Sequence, residues 1–125
     1  MNTEDVKLLY VDDDDHARVL LKTMLQSINC EKLFSAANGQ EAVEIYEKEM
    51  PDLVILDIEM PEKNGKEALK EIIAVNENAK IVMWSSLESE DNIRECMELG
   101  AINFIRKYEK MDVFSEIISA IIEEL

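Results

Sequence analysis

Five short apolar runs punctuate the chain, and a stretch with helical spacing comes after each of them. The most telling run is Leu53–Leu56 (Leu-Val-Ile-Leu), apolar at every position and closed by Asp57. A strand with one wet face alternates apolar and polar residues, so a run with no polar member suits a strand covered on both faces. Lys7–Val11, Leu33–Ala37, Ile81–Trp84 and Ile102–Ile105 are the other β-prone runs, Leu33–Ala37 being the weakest. Ala17, Leu20, Leu21, Met24, Leu25 and Ile28 repeat at helical spacing and predict a helix from Asp15 to about Asn29. Asp14 or Asp15 suits its N-cap and the positive end of its dipole. Ala42, Val43 and Tyr46 mark a second helix, and Ala68, Leu69, Ile72 and Ile73 a third. Ile93, Cys96 and Met97 mark a short fourth helix ended by Gly100, and Phe114, Ile117, Ile118, Ile121, Ile122 and Leu125 a fifth. Such alternation predicts an α/β fold: a five-stranded parallel sheet with helices on both faces. The 125 residues suit one domain, 1–125, long enough to bury a core without disulfides or metals as staples.

The totals narrow the function. Acidic residues outnumber basic ones, 28 to 13, for a net charge of −15. A surface this acidic repels nucleic acid and anionic lipid, so direct nucleic-acid binding is not expected; the same charge also serves solubility. No apolar run approaches the roughly 20 residues of a membrane helix, and the start Met-Asn-Thr-Glu-Asp-Val has no signal-peptide pattern. The two cysteines, Cys30 and Cys96, lie in apolar-patterned stretches outside any Cys-x-x-Cys pair, which fits packed thiols in a reduced, cytoplasmic setting. The seven methionines are expected to fill the core.

The chemistry lies at the strand ends. Asp12 and Asp13 come directly after the first strand, Asp57 after the third, Ser85 after the fourth and Lys107 near the end of the fifth. In an open parallel α/β sheet, ligands bind at the carboxyl ends of the strands, so these groups are expected to gather at one edge. Three crowded carboxylates repel unless a cation joins them, and a small set of hard oxygen donors suits Mg²⁺ with several retained waters. A lysine and a hydroxyl beside them suit a phosphoryl oxygen. One carboxylate can then act as nucleophile and form an aspartyl phosphate.

Five segments together resemble the receiver domains of response regulators: Leu-Tyr-Val-Asp-Asp-Asp at 9–14, Pro-Asp-Leu-Val-Ile-Leu-Asp-Ile-Glu-Met-Pro at 51–61, Asn64-Gly65, Ile-Val-Met-Trp-Ser-Ser at 81–86 and Gly-Ala-Ile-Asn-Phe-Ile-Arg-Lys at 100–107. The resemblance spans nearly the whole chain. It implies a flavodoxin-like fold, Mg²⁺, and phosphotransfer from a phosphohistidine of a sensor histidine kinase or a phosphotransfer protein. By position, it implies Asp57 as phosphoacceptor, Asp12 and Asp13 as metal-holding groups, and the backbone carbonyl of Glu59 as a further ligand. Ser85 becomes the switch hydroxyl, Lys107 the phosphoryl-contacting lysine and Phe104 the switch aromatic. Output is expected through the face of the fourth helix, fifth strand and fifth helix, with a partner protein or with a second copy as a homodimer. Exposed charges of both signs at Arg94, Glu95, Arg106, Lys110 and Glu116 suit such a face.

Three positions depart from the common pattern. Tyr108 replaces the proline that usually comes after the lysine, so the Lys107–Tyr108 bond is expected trans; a cis bond before a non-proline residue costs about 2.5–4 kcal/mol. Ser86 replaces a small apolar residue after the switch hydroxyl, and Phe104 lacks the hydroxyl of the commoner tyrosine. His16 reads as a surface histidine and Trp84 as packing. Two other functions compete with the switch. One is a Mg²⁺-dependent phosphohydrolase with an aspartyl nucleophile, for which Glu59 is the candidate acid; the other is an unphosphorylated scaffold of receiver shape. The chain could equally be the amino-terminal part of a longer regulator.

The resemblance further implies that the residues two positions beyond the acceptor and two beyond the switch hydroxyl, here Glu59 and Leu87, flank the path of water to a phosphoryl group. Leu87 has no polar atom to orient that water, so self-dephosphorylation is expected to be slow relative to receivers with polar residues at both positions. Leu87→Asn is expected to speed it several-fold; tenfold needs only about 1.4 kcal/mol off the barrier. The check is loss of aspartyl phosphate over time in excess Mg²⁺ once the donor is removed, and an unchanged decay would refute it.

Overall fold

A computed structural model describes residues 1–60, 62–86 and 89–125. Pro61, Leu87 and Glu88, and with them the expected role of Leu87, lie outside the described residues. The chain alternates strands and helices throughout. They are β1 (Lys7–Val11), α1 (Asp15–Ser27), β2 (Lys32–Ala36), α2 (Gly39–Glu49), β3 (Leu53–Asp57), α3 (Gly65–Val75), β4 (Ile81–Ser85), α4 (Glu90–Leu99), β5 (Asn103–Arg106) and α5 (Met111–Glu123). All strands are parallel, in the order β2-β1-β3-β4-β5. This is the expected flavodoxin-like arrangement.

Strand periodicity divides the core in two. Leu8, Tyr10, Leu53, Ile55, Val82 and Trp84 point to one face, where Leu21 and Leu25 of α1 and Phe114, Ile118 and Ile122 of α5 cover them. Leu9, Val11, Val54, Leu56, Ile81 and Met83 point to the other, under Tyr46 of α2, Leu69 and Ile72 of α3 and Cys96 of α4. The central strand is buried at all five positions, which explains its unbroken apolar run. Each large aliphatic side chain removed from water stabilises by about 1.5–3 kcal/mol, and this two-sided burial is what allows a costly polar site at the sheet edge.

The edge strands show why their sequence signal is weaker. β2 begins one residue earlier than expected and is half exposed, so packing makes little demand on its pattern. β5 is also displaced by one residue; Ile102 is exposed, although its amide still donates to Ile81 at 2.8 Å. The first helix ends at Ser27 rather than Asn29. The methionines do not all fill the core: Met24 and Met83 are buried, whereas Met1, Met50, Met97 and Met111 are exposed, as flexible unbranched side chains tolerate. Cys30 and Cys96 are buried and unpaired, as expected, and burial pushes the Cys30 thiol up to about 11. Among the described residues, no helix is long and apolar enough to cross a membrane.

Short polar caps start four of the five helices; α5 has none. Asp14 accepts from the His16 amide, Asn38 from Glu41, Asn64 from Glu67 and Ser89 from Asn92. Gly65 then ties α3 to the sheet. Its amide donates to the Ile58 carbonyl at 2.7 Å, and a Cβ there would stand 2.1 Å from the carbonyl oxygen of Asp57. No side chain fits without moving the end of β3. Gly65→Ala is therefore expected to destabilise the protein by about 1–3 kcal/mol through overpacking. Urea denaturation reads the change; an unaltered midpoint would show that the loop yields at no cost.

Candidate functional site

The fold brings Asp12, Asp13, Asp57 and Lys107 together at the carboxyl edge of the sheet. Asp12 is fully buried and Asp57 is 2% exposed, whereas Asp13 faces solvent. One carboxylate oxygen from each of the three lies within 4.8 Å of the others. The Lys107 ammonium sits 2.8 Å from Oδ2 of Asp12 and 3.2 Å from Oδ2 of Asp57. An open cleft of about 670 Å³ lies beside them, lined by Asp13, Asp57 and Lys107 together with Glu59, Lys66, Ser86 and Asn92. The oxygen-rich donor set and its close spacing fit a hard divalent cation such as Mg²⁺.

The electrostatics derive from burial. Asp57 is pushed up to about 7, first by loss of water and then by the Asp12 charge, with a smaller push from Asp13; Lys107 opposes them by its charge and hydrogen bond. Like-charge repulsion alone is enough to predict a raised carboxylate here, but desolvation is the larger cause. Burial acts to lower Lys107, yet its bond to Asp12 and the Asp57 charge outweigh that and hold the ammonium above the usual lysine range.

The remaining sequence candidates have distinct settings. Ser85 is 1% exposed at the end of β4, where its carbonyl accepts from the Lys107 amide at 3.0 Å. Its neighbour Ser86 is exposed and is the serine that lines the cleft. Glu59 is exposed on the cleft wall. Phe104 is half-buried on edge strand β5 and packs against the α2–α4 side of the core. The Lys107–Tyr108 bond is trans, as expected, and the Tyr108 side chain is exposed. His16 is exposed, in agreement with its surface assignment.

Three contributors have no counterpart among the sequence candidates for the site. The indole of Trp84 donates to Oδ2 of Asp12 at 3.1 Å in addition to packing edge-on against Phe114. A signal for this exists in the sequence: a buried indole N–H needs an acceptor, and strand periodicity puts residue 84 on the same face as Asp12, just beyond the end of β1. Arg18 of α1 donates to the Asp12 carbonyl at 2.6 Å and pairs with Asp15. Lys66, in the first turn of α3, reaches across to Asn92 and Glu95 of α4, the latter at 2.7 Å. Its bond and charge hold Glu95 below the usual carboxylate range. A lysine in a first helical turn runs against the helix dipole, and that mismatch is the signal that marks it.

With this geometry, the comparisons with known proteins agree. Residues 8–119 match the response regulator receiver domain. The chain belongs to that family and is a receiver domain of the two-component type. It is 41% identical over 101 residues to the chemotaxis protein CheY of Thermotoga maritima, covering 81% of this chain and 84% of that protein. It is 38% identical over 101 residues to the sporulation initiation phosphotransferase F of Bacillus subtilis, covering 81% of each. Among solved structures, it is similar to the CheX–CheY–BeF3–Mg²⁺ complex of Borrelia burgdorferi, with a TM-score of 0.89 and 29% identity over 94% of this chain and 89% of that one.

The raised Asp57 pKa has a sign that can be tested. The folded state holds the Asp57 proton up to about 7, whereas an ordinary aspartate releases it near 3.8. Between those limits the unfolded chain binds fewer protons, so this group's contribution to stability is full below about pH 4 and is lost as pH rises to about 7. Asp57→Asn removes the effect. Without metal, its stability advantage over wild type is expected to grow by up to about 1.4 kcal/mol per pH unit in that window and then level off. Urea denaturation at a series of pH values measures it; a gap that does not change with pH would contradict the assignment.

Proposed function

We propose that Asp57 is the phosphoacceptor of this receiver and that Mg²⁺ is its cofactor, held by Asp12, Asp13, Asp57 and the Glu59 carbonyl. The observation that carries this is the position of Asp57: nearly buried, beside two more carboxylates and 3.2 Å from an ammonium. An oxygen of Asp57 attacks the phosphorus of a phosphohistidine on a sensor histidine kinase or phosphotransfer protein. The new P–O bond forms as the P–N bond breaks, and the bonding pair leaves on the imidazole nitrogen. The cation supplies charge neutralisation for the transferring group. Lys107 meets the incoming phosphoryl oxygens, and burial excludes competing water. Asp57 must be ionised to attack, and joining the cation to the site favours that form.

Transfer replaces a single carboxylate charge by a more negative group. Ser85 then serves as the switch hydroxyl and Phe104 as the switch aromatic, and output passes through the α4–β5–α5 face. Exposed Met97 and Ile102 on that face, with Arg94, Glu95, Arg106, Lys110 and Glu116 around them, suit a partner protein recognised by apolar contact and mixed charge, or a second copy of the chain. The Borrelia relative was solved as a CheX–CheY complex, which supports a protein partner for this class. A cytoplasmic setting suits the unpaired cysteines and the phosphohistidine donor. The protein acts as a switch rather than a turnover enzyme; Glu59 at the cleft is the feature that would support a phosphohydrolase.

Intact-mass measurement after incubation with acetyl phosphate and Mg²⁺ tests the proposal. One phosphoryl group is expected on the wild type, none on Asp57→Asn, and little without Mg²⁺. Full labelling of Asp57→Asn would remove the assignment, and multiple turnover of a free phosphomonoester would favour the hydrolase.

A further inference from the structure

Among the described residues, three donors hold the Asp12 carboxylate. Its Oδ1 accepts the Asp14 amide at 3.0 Å, and its Oδ2 accepts both Lys107 at 2.8 Å and the Trp84 indole at 3.1 Å. These donors differ in what a phosphotransfer cycle asks of them. The Asp14 amide is fixed backbone. Lys107 sits on a flexible stem, carries a charge that repels an entering cation, and is needed at the phosphoryl group. The indole N–H is neutral, and its ring is 2% exposed and fixed edge-on against Phe114, with centroids 5.5 Å apart. Trp84 also lies directly beside Asp57 in the sheet, the two being register partners of β3 and β4.

We propose that Trp84 is a positioning residue for cation binding: its indole N–H holds Asp12 in the ligating orientation when Lys107 turns from Oδ2 to the phosphoryl group. This rests on the proposed metal site and adds to it a residue outside the ligand set. Without the indole donor, departure of Lys107 would leave Oδ2 of a buried carboxylate with no donor among the described residues, and the group would be held by the Asp14 amide at Oδ1 alone. A neutral donor fulfils the task because it orients the carboxylate without competing with the cation for its charge. Groups that orient a ligating carboxylate in this way typically govern metal affinity by about 10–100-fold.

Trp84→Phe keeps a ring against Phe114 and deletes the donor, at the cost of some ring volume in the core. Isothermal titration with Mg²⁺ is expected to show affinity about 10–100-fold below wild type, with the rate of labelling by acetyl phosphate recovering at saturating Mg²⁺. A residue that merely filled the core would lower thermal stability and leave the affinity unchanged. A second measurement needs no variant. The chain has a single tryptophan, so its ¹H–¹⁵N indole resonance is unambiguous and is expected to move during Mg²⁺ titration with the midpoint found by calorimetry. Equal affinity in wild type and Trp84→Phe, or an indole resonance that stays still while Mg²⁺ binds, would overturn the inference and leave the metal site intact. A wild-type protein that binds no Mg²⁺ would overturn the metal site itself.

Discussion

Two carboxylates with almost no exposed surface share one ammonium at the carboxyl edge of the sheet. Asp12 and Asp57 gain from Lys107 but lose hydration and repel each other. A buried charge cluster of this kind costs stability unless its geometry and charge balance are both good. Here the geometry is good and the charge balance is not: one lysine stands against two buried carboxylates and a third at the surface. A divalent cation, if added, would correct the balance, and a phosphoryl group would reverse it again. The site is thus unsettled at rest, which is what a switch requires of its trigger.

The surrounding structure serves to keep those groups from relaxing apart. β1, β3 and β4 lie side by side and are buried from Leu8 onward in β1 and throughout β3 and β4, so the strand ends bearing Asp12, Asp57 and Ser85 have little freedom. Gly65 lets the start of α3 rest directly on the Asp57 carbonyl. Arg18 grips the main chain of Asp12 from α1, and Trp84 grips its side chain from β4. Through Phe114 the same indole joins Asp12 to α5, and Lys66 ties α4 to the wall of the cleft beside the acidic cluster.

Much of this is legible in the sequence, for reasons that can be named. β3 is plain because burial on both faces leaves no position free for a polar residue. The gathering of Asp12, Asp13, Asp57 and Lys107 can be read from strand ends alone, since a parallel sheet brings all its carboxyl ends to one edge. Edge strands β2 and β5 are each displaced by one residue from expectation because exposure relaxes their pattern. The contacts of Arg18, Trp84 and Lys66 are hidden because they join side chains distant in the chain or cross from one element to another. Of these, Trp84 is within reach, by combining strand periodicity with the need of a buried indole for an acceptor. The dominant cause of the Asp57 shift is hidden as well. Sequence displays the like charges, whereas the depth of burial emerges only from the packed sheet.

The central claim is that burial and crowding leave Asp57 poorly ionised until a cation joins it. Carbon-13 NMR titration of the aspartate carboxyl groups, assigned through Asp57→Asn, measures this directly. In the metal-free protein Asp57 is expected to titrate at about 7, and in saturating Mg²⁺ it should remain ionised well below that pH. A metal-free Asp57 that titrates near 3.8, like an ordinary aspartate, would contradict the account.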